Sequence, residues 1–143
     1  MPGWTHGDGH ASNLLWTGDA VSAVLDLGLC DRTTPVFDLA TAIERNAVSW
    51  LADQPRADLA LVDALVDGWH AERPLTAAER AALPELLPLV HVDFALSELP
   101  YYAHIVGSAA NTALALDGYL LGHARWASSP AGVELLDHLR RRG

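Results

Sequence analysis

The hydrophobic pattern changes its period near Pro35, and that change limits the folds open to this chain. Before Pro35 the apolar residues come in short runs. Asn13-Leu14-Leu15-Trp16 reads as a strand, Thr17-Gly18-Asp19 as a turn, and Val21, Ala23 and Leu25 alternate along a second strand. Two such runs around a Gly-containing turn predict a β-hairpin. Trp4-Thr5-His6 reads as a further brief strand. After Pro35, helical spacing takes over. Thr34-Pro35 predicts a helix start, with Leu39, Ile43, Ala47, Trp50 and Leu51 on one face to about Asp53, before Pro55. Leu59, Val62, Leu65, Val66 and Trp69 give a second stripe, and Thr76-Ala77-Ala78-Glu79 is a capping box opening a third helix. Pro84 and Pro88 predict a break within 83–99. Residues 109–126 are helical despite Gly118 and Gly122, and Ser129-Pro130 opens a last helix ending in three arginines. The fold class is mainly α (α+β), with a hairpin followed by about five helices in a single domain over residues 1–143.

The chemistry concentrates in His6-Gly7-Asp8-Gly9-His10-Ala11-Ser12-Asn13. Its skeleton, His-x-Asp-x4-Asn, has the spacing of a kinase catalytic loop. There an aspartate takes or orients the proton of an attacking hydroxyl. An asparagine offers its amide oxygen to Mg2+, which prefers hard oxygen ligands. A second aspartate should follow on a strand with glycine behind it, and Asp26-Leu27-Gly28 stands there. Two motifs in the right order, separated by a hairpin, are far more specific than either alone.

From Trp4 to about Leu51 the chain resembles the aminoglycoside phosphotransferase and choline/homoserine kinase superfamily. That family carries a His-Gly-Asp-x-His-x-x-Asn loop, then Asp-x-Gly, then Asp-Leu-Ala opening a helix. Here these are 6–13, 26–28 and Asp38-Leu39-Ala40. The resemblance implies the C-terminal lobe of a kinase-like fold, with Asp8 as catalytic base and Asn13 and Asp26 as Mg2+ ligands. It implies that His6, His10 and Asp38 support the loop. It also implies ATP or GTP as phosphoryl donor and a small-molecule hydroxyl as acceptor. Family members place a β-rich lobe ahead of this loop, with a Gly-rich nucleotide loop and a lysine for the phosphates. This sequence starts at the loop, and its nine Lys-plus-Arg positions are all arginine. The N-terminal ATP-binding lobe is therefore expected to be missing, and transfer to be incomplete without it. The alternative is a truncated, non-catalytic kinase-like module that binds a partner. Loss of the lobe should bare Leu27 and Leu29 and favour self-association.

Glu44, Asp93, Glu98, Tyr101 and Tyr102 are the candidate substrate-side residues, since acidic and aromatic groups together suit a cationic acceptor. The net charge of −9 is compatible with such an acceptor and argues against nucleic acid or an anionic membrane as partner. The single cysteine, Cys30, and the absence of a signal-peptide pattern point to the cytoplasm. His6-x-Asp8-x-His10 also fits zinc chemistry. However, a closed site needs more ligands, and His70, His91, His104, His123 and His138 are scattered over helices. Trp50, Trp69 and Trp126 fall on apolar stripes and are expected in the core.

Overall fold

The computed structural model describes residues 2–49 and 51–142. Strand β1 (Gly3–Thr5) pairs antiparallel with β4 (Asp31–Thr33), and β2 (Leu14–Thr17) forms a hairpin with β3 (Ala20–Val24). The predicted hairpin is present, turning at Gly18 with φ +62°. Strand β4 was not legible in the sequence. It is three polar residues long, and it exists because Thr5 Oγ1 donates to the Asp31 carbonyl at 3.0 Å while β1 lies alongside. These two pairs bring the start of the loop and the segment after Asp26 to one end of the molecule.

Helices build the rest. They are α1 (Val36–Ala47), α2 (Leu59–Glu72), α3 (Ala77–Pro100), α4 (Ala109–Ala113), α5 (Leu121–Ala127) and α6 (Pro130–Arg141). A wide π turn at Tyr101–Val106 extends α3, and another at Leu114–Leu120 joins α4 to α5. The rods over 77–106 and 109–127 are thus each continuous, and five helical rods follow the hairpin among the described residues, a mainly α, kinase-like C-terminal lobe.

The first helix is shorter than its apolar stripe predicts. It ends at Ala47 because Val48 turns extended and pairs with Ala57, while Asp58 N–H bonds the Ala47 carbonyl at 2.8 Å. Pro84 and Pro88 do not divide α3. Each removes one N–H from the ladder, but Pro84 is buried against the core and Pro88 is partly buried, so packing holds the rod together. The capping box forms as predicted: Thr76 Oγ1 accepts from Glu79 N–H, and Glu79 Oε2 accepts from Thr76 N–H at 2.9 Å.

Leu39, Ala40 and Ile43 of α1 are at most 1% exposed and pack with Val62 of α2, Leu83, Leu87 and Val90 of α3, and Leu135 and Leu139 of α6. Each large side chain buried this way contributes about 1.5–3 kcal/mol. Trp126 joins this core and Trp69 packs half-buried against it; Trp50 lies outside the described residues. No helix among the described residues is long and apolar enough to cross a membrane.

Candidate active site

The loop hangs on α1. Asp38, in the first turn of that helix, accepts backbone N–H bonds from His6 (2.8 Å, Oδ2) and Gly7 (2.9 Å, Oδ1). Two turns later Asn46 accepts from Ala11 N–H at 2.8 Å and donates to the Gly9 carbonyl at 3.1 Å. Gly7 must be glycine: its φ is +80°, and a Cβ there would lie 2.3 Å from the Leu29 carbonyl oxygen.

His6 joins the two motifs. Its Nδ1 accepts from Asp8 N–H at 3.2 Å, so Nε2 carries the proton and donates to the Leu25 carbonyl at 2.8 Å. One imidazole thus ties the backbone of Asp8 to the residue before Asp26. Asp26 sits at φ 56°, an uncommon conformation for a residue with a Cβ and one that recurs at functional positions.

Asp8 is 9% exposed. Its Oδ1 meets Arg45 Nε at 3.1 Å, and its Oδ2 meets His10 Nε2 at 3.2 Å and Asn13 Nδ2 at 3.3 Å. Ser12 Oγ lies 2.6 Å from His10 Nδ1, which suits the tautomer that donates to Asp8. A carboxylate offers about four acceptor positions. Three donors occupy three of them.

Asp8, Asp26, Phe94, Glu98 and Tyr101 line one cleft of about 350 Å³. Three carboxylates face it, with Arg45 alongside, its guanidinium 4.2 Å above the Phe94 ring. Tyr102 backs the cleft by hydrogen bonding Glu98, which raises the phenol pKa. Of the five substrate-side candidates, Glu98 and Tyr101 are thus in the cleft and Tyr102 adjoins it. Asp93 lines a separate hollow with Thr5 and Asp31.

Glu44 is drawn into the core, 2% exposed, with its Oε1 2.8 Å from His91 Nδ1 and 3.5 Å from His123 Nε2. These three residues form the one set of three or more metal-capable side chains among the described residues. The sequence offered no sign of it, since its members lie on α1, α3 and α5. The two imidazoles stack nearly parallel, 14° apart, with centroids 3.8 Å apart. Two imidazoles on one zinc, bonded at about 2.0–2.1 Å, would hold their ring centres roughly 5 Å apart. The stack is therefore too tight for shared ligation, and with Glu44, which lines a neighbouring cavity with Arg45, Phe94 and Tyr119, it ties three helices together. Burial first, and then the neighbouring His91, lower the His123 pKa to about 4, against the pull of Glu44.

Arg45 and Asn46 escaped the sequence reading. Their signal was position: Arg45 lies seven residues after Asp38, two helical turns on, and so shares its face.

Asp26 lines the cleft and offers carboxylate oxygens, the hard donors that Mg2+ prefers. Asn13 lies beside Asp8, its Nδ2 donating to the Asp8 carboxylate and backbone carbonyl, so its amide oxygen is the atom that could take a metal.

The chain is also similar to known proteins. A profile of the phosphotransferase enzyme family matches residues 1–75. Homoserine kinase of Methylobacillus glycogenes is 38% identical over 97 residues, covering 68% of this chain and 30% of that protein. Homoserine kinase of Granulibacter bethesdensis is 32% identical over 98 residues, again 68% and 30%. Homoserine kinase of Rhodopseudomonas palustris (strain CGA009) is 33% identical over 97 residues, covering 68% and 29%. The chain spans about 30% of the length of these relatives. The profile covers more than half of the chain, which belongs to the phosphotransferase enzyme family.

Proposed function

We propose that this lobe transfers a phosphoryl group from a nucleoside triphosphate, ATP or GTP, to the hydroxyl of a small molecule, working with a nucleotide-binding β lobe. Asp8 orients the acceptor hydroxyl and draws its proton. The acceptor oxygen forms the new P–O bond as the bond to the departing nucleoside diphosphate breaks. Arg45, His10 and Asn13 hold Asp8 for that task. Asn13 and Asp26 hold magnesium, which when bound neutralises charge on the phosphate oxygens. The observation that carries this reading is that Asp8 and Asp26, the carboxylates of the two motifs, line one cleft.

The relatives' name supplies the first acceptor to try, homoserine. Glu98 in the cleft suits its ammonium group. A second reading, a binding module without turnover, rests on Leu27 and Leu29, 62% and 36% exposed, as a partner-binding face would have them.

The test joins this chain to the β lobe of the Methylobacillus glycogenes relative and assays ADP release with homoserine. Turnover that falls roughly 10²–10⁴-fold in Asp8→Ala supports the assignment. Turnover unchanged by that substitution overturns it, and no turnover in the parent fusion favours the binding module.

A further inference from the structure

Asn46, near the end of α1, has an amide whose two ends are both committed. Its Oδ1 accepts from Ala11 N–H at 2.8 Å. Its Nδ2 donates to the Gly9 carbonyl at 3.1 Å and to the Ala42 carbonyl at 2.7 Å. One N–H donor on one side and two carbonyls on the other fix which end is oxygen and which is nitrogen. The Ala42 carbonyl belongs to the preceding turn of the same helix, so α1 itself helps to set the rotamer that meets the loop.

The two loop groups that Asn46 grips stand on either side of His10. A Cβ at Gly9 would meet nothing within 4 Å, so hydrogen bonds rather than packing set this stretch. His10 is extended between them, at φ −132° and ψ 161°. Its ring then reaches back to Asp8, with Nε2 3.2 Å from Asp8 Oδ2 and Nδ1 2.6 Å from Ser12 Oγ. Asp38 holds the other side of Asp8, through the backbone of His6 and Gly7. Helix α1 thus grips the loop both ahead of Asp8 and behind it.

We infer that Asn46 is a positioning residue for phosphoryl transfer: it clamps the backbone on either side of His10 and so aims the His10 ring at Asp8. Its consequence for turnover rests on the phosphotransferase reading. The position demands an amide. Aspartate has the same shape and would still accept from Ala11 N–H, but its second oxygen would face the Gly9 and Ala42 carbonyls with no proton to share.

The test has two parts. In the isotope-labelled chain, imidazole nitrogen NMR should show His10 fixed in the parent as the tautomer with its proton on Nε2. Asn46→Ala and Asn46→Asp should release it to a mixture of tautomers. The His6 ring, held on the Asp38 side, should not move, and so reports that the fold is kept. In the fusion with the β lobe, both substitutions should lower kcat about 10–10²-fold and leave the KM for ATP unchanged. Adding Asn46→Ala to Asp8→Ala should cost nothing more, because its effect passes through Asp8. A His10 ring unmoved by either substitution would overturn the proposal. So would Asn46→Asp turning over as the parent does, or a loss that multiplies with that of Asp8→Ala. A parent fusion without turnover, or turnover unchanged in Asp8→Ala, would overturn the phosphotransferase reading and the role in transfer with it.

Discussion

The first 35 residues and the helices after them are held by different forces. Before Val36, only Thr5 and Asp8 are buried among the described residues. Leu15, Trp16, Val24 and Leu27 of that region are each at least half exposed, and Leu29 is 36% exposed. Its shape comes from polar ties: Asp38 to two backbone N–H groups, Asn46 to two more backbone groups, and His6 between Asp8 and Leu25. The helical part is the reverse, with interlocked aliphatic side chains at 0–8% exposure. Packing sets the stability of the fold, and hydrogen bonds anchored on α1 set the geometry of the loop. A site built this way can be loosened without unfolding the lobe, because a local opening costs less than the global one.

The contrast predicts an order of effects. Leu39→Ala, in the core, should lose about 2–5 kcal/mol of stability. Chemical denaturation should show it as a lower midpoint with the slope unchanged. Asp38→Ala, one residue earlier, should cost the loop about 1.5–3 kcal/mol per lost charge-assisted bond. Faster amide exchange at His6 and Gly7, with core amides unaffected, is the expected pattern. If Asp38→Ala instead speeds exchange in α2 and α6, the two regions are not separately held.

Acid should strike the helices through His123. Its folded pKa, about 4, lies below the ordinary 6.5, so between these values the unfolded chain binds the extra proton. Stability is therefore expected to fall as pH drops from 6.5 towards 4. His123→Phe should flatten that limb in a pH series of denaturation curves. A second loss should follow at lower pH through Glu79. The Thr76 backbone N–H, and then Arg73, hold that carboxylate at about 2 against an ordinary 4.5. Its contribution is present above 4.5 and is lost as pH falls towards 2. The smallest effect belongs to Thr76→Ala, which removes the cap of α3 and should cost about 1 kcal/mol, read as a modest drop in Tm.

The sequence made the hairpin, the helix starts and the spacing of Asp8, Asn13 and Asp26 legible because each is a local pattern. Residues brought together by packing were not legible. Glu44, His91 and His123 come from three helices, and no spacing within one helix announces a stack between them. Strand β4 has no apolar alternation to betray it, because its pairing with β1 makes it a strand. The unbroken α3 shows tertiary packing overriding two prolines that local rules read as breaks. Arg45 was readable in principle from its helical register with Asp38, but its importance follows only once the loop is seen docked on that face.

The most direct test of the catalytic reading is a titration of the β-lobe fusion with Mn2+ and ATP, followed by electron paramagnetic resonance, with Asp26 intact and in Asp26→Asn. The account predicts saturable binding of the metal–nucleotide pair that Asp26→Asn abolishes while the folded spectrum of the lobe is retained. Saturable binding that Asp26→Asn leaves unchanged would contradict it, because the metal would then be held somewhere other than the cleft shared by Asp8 and Asp26.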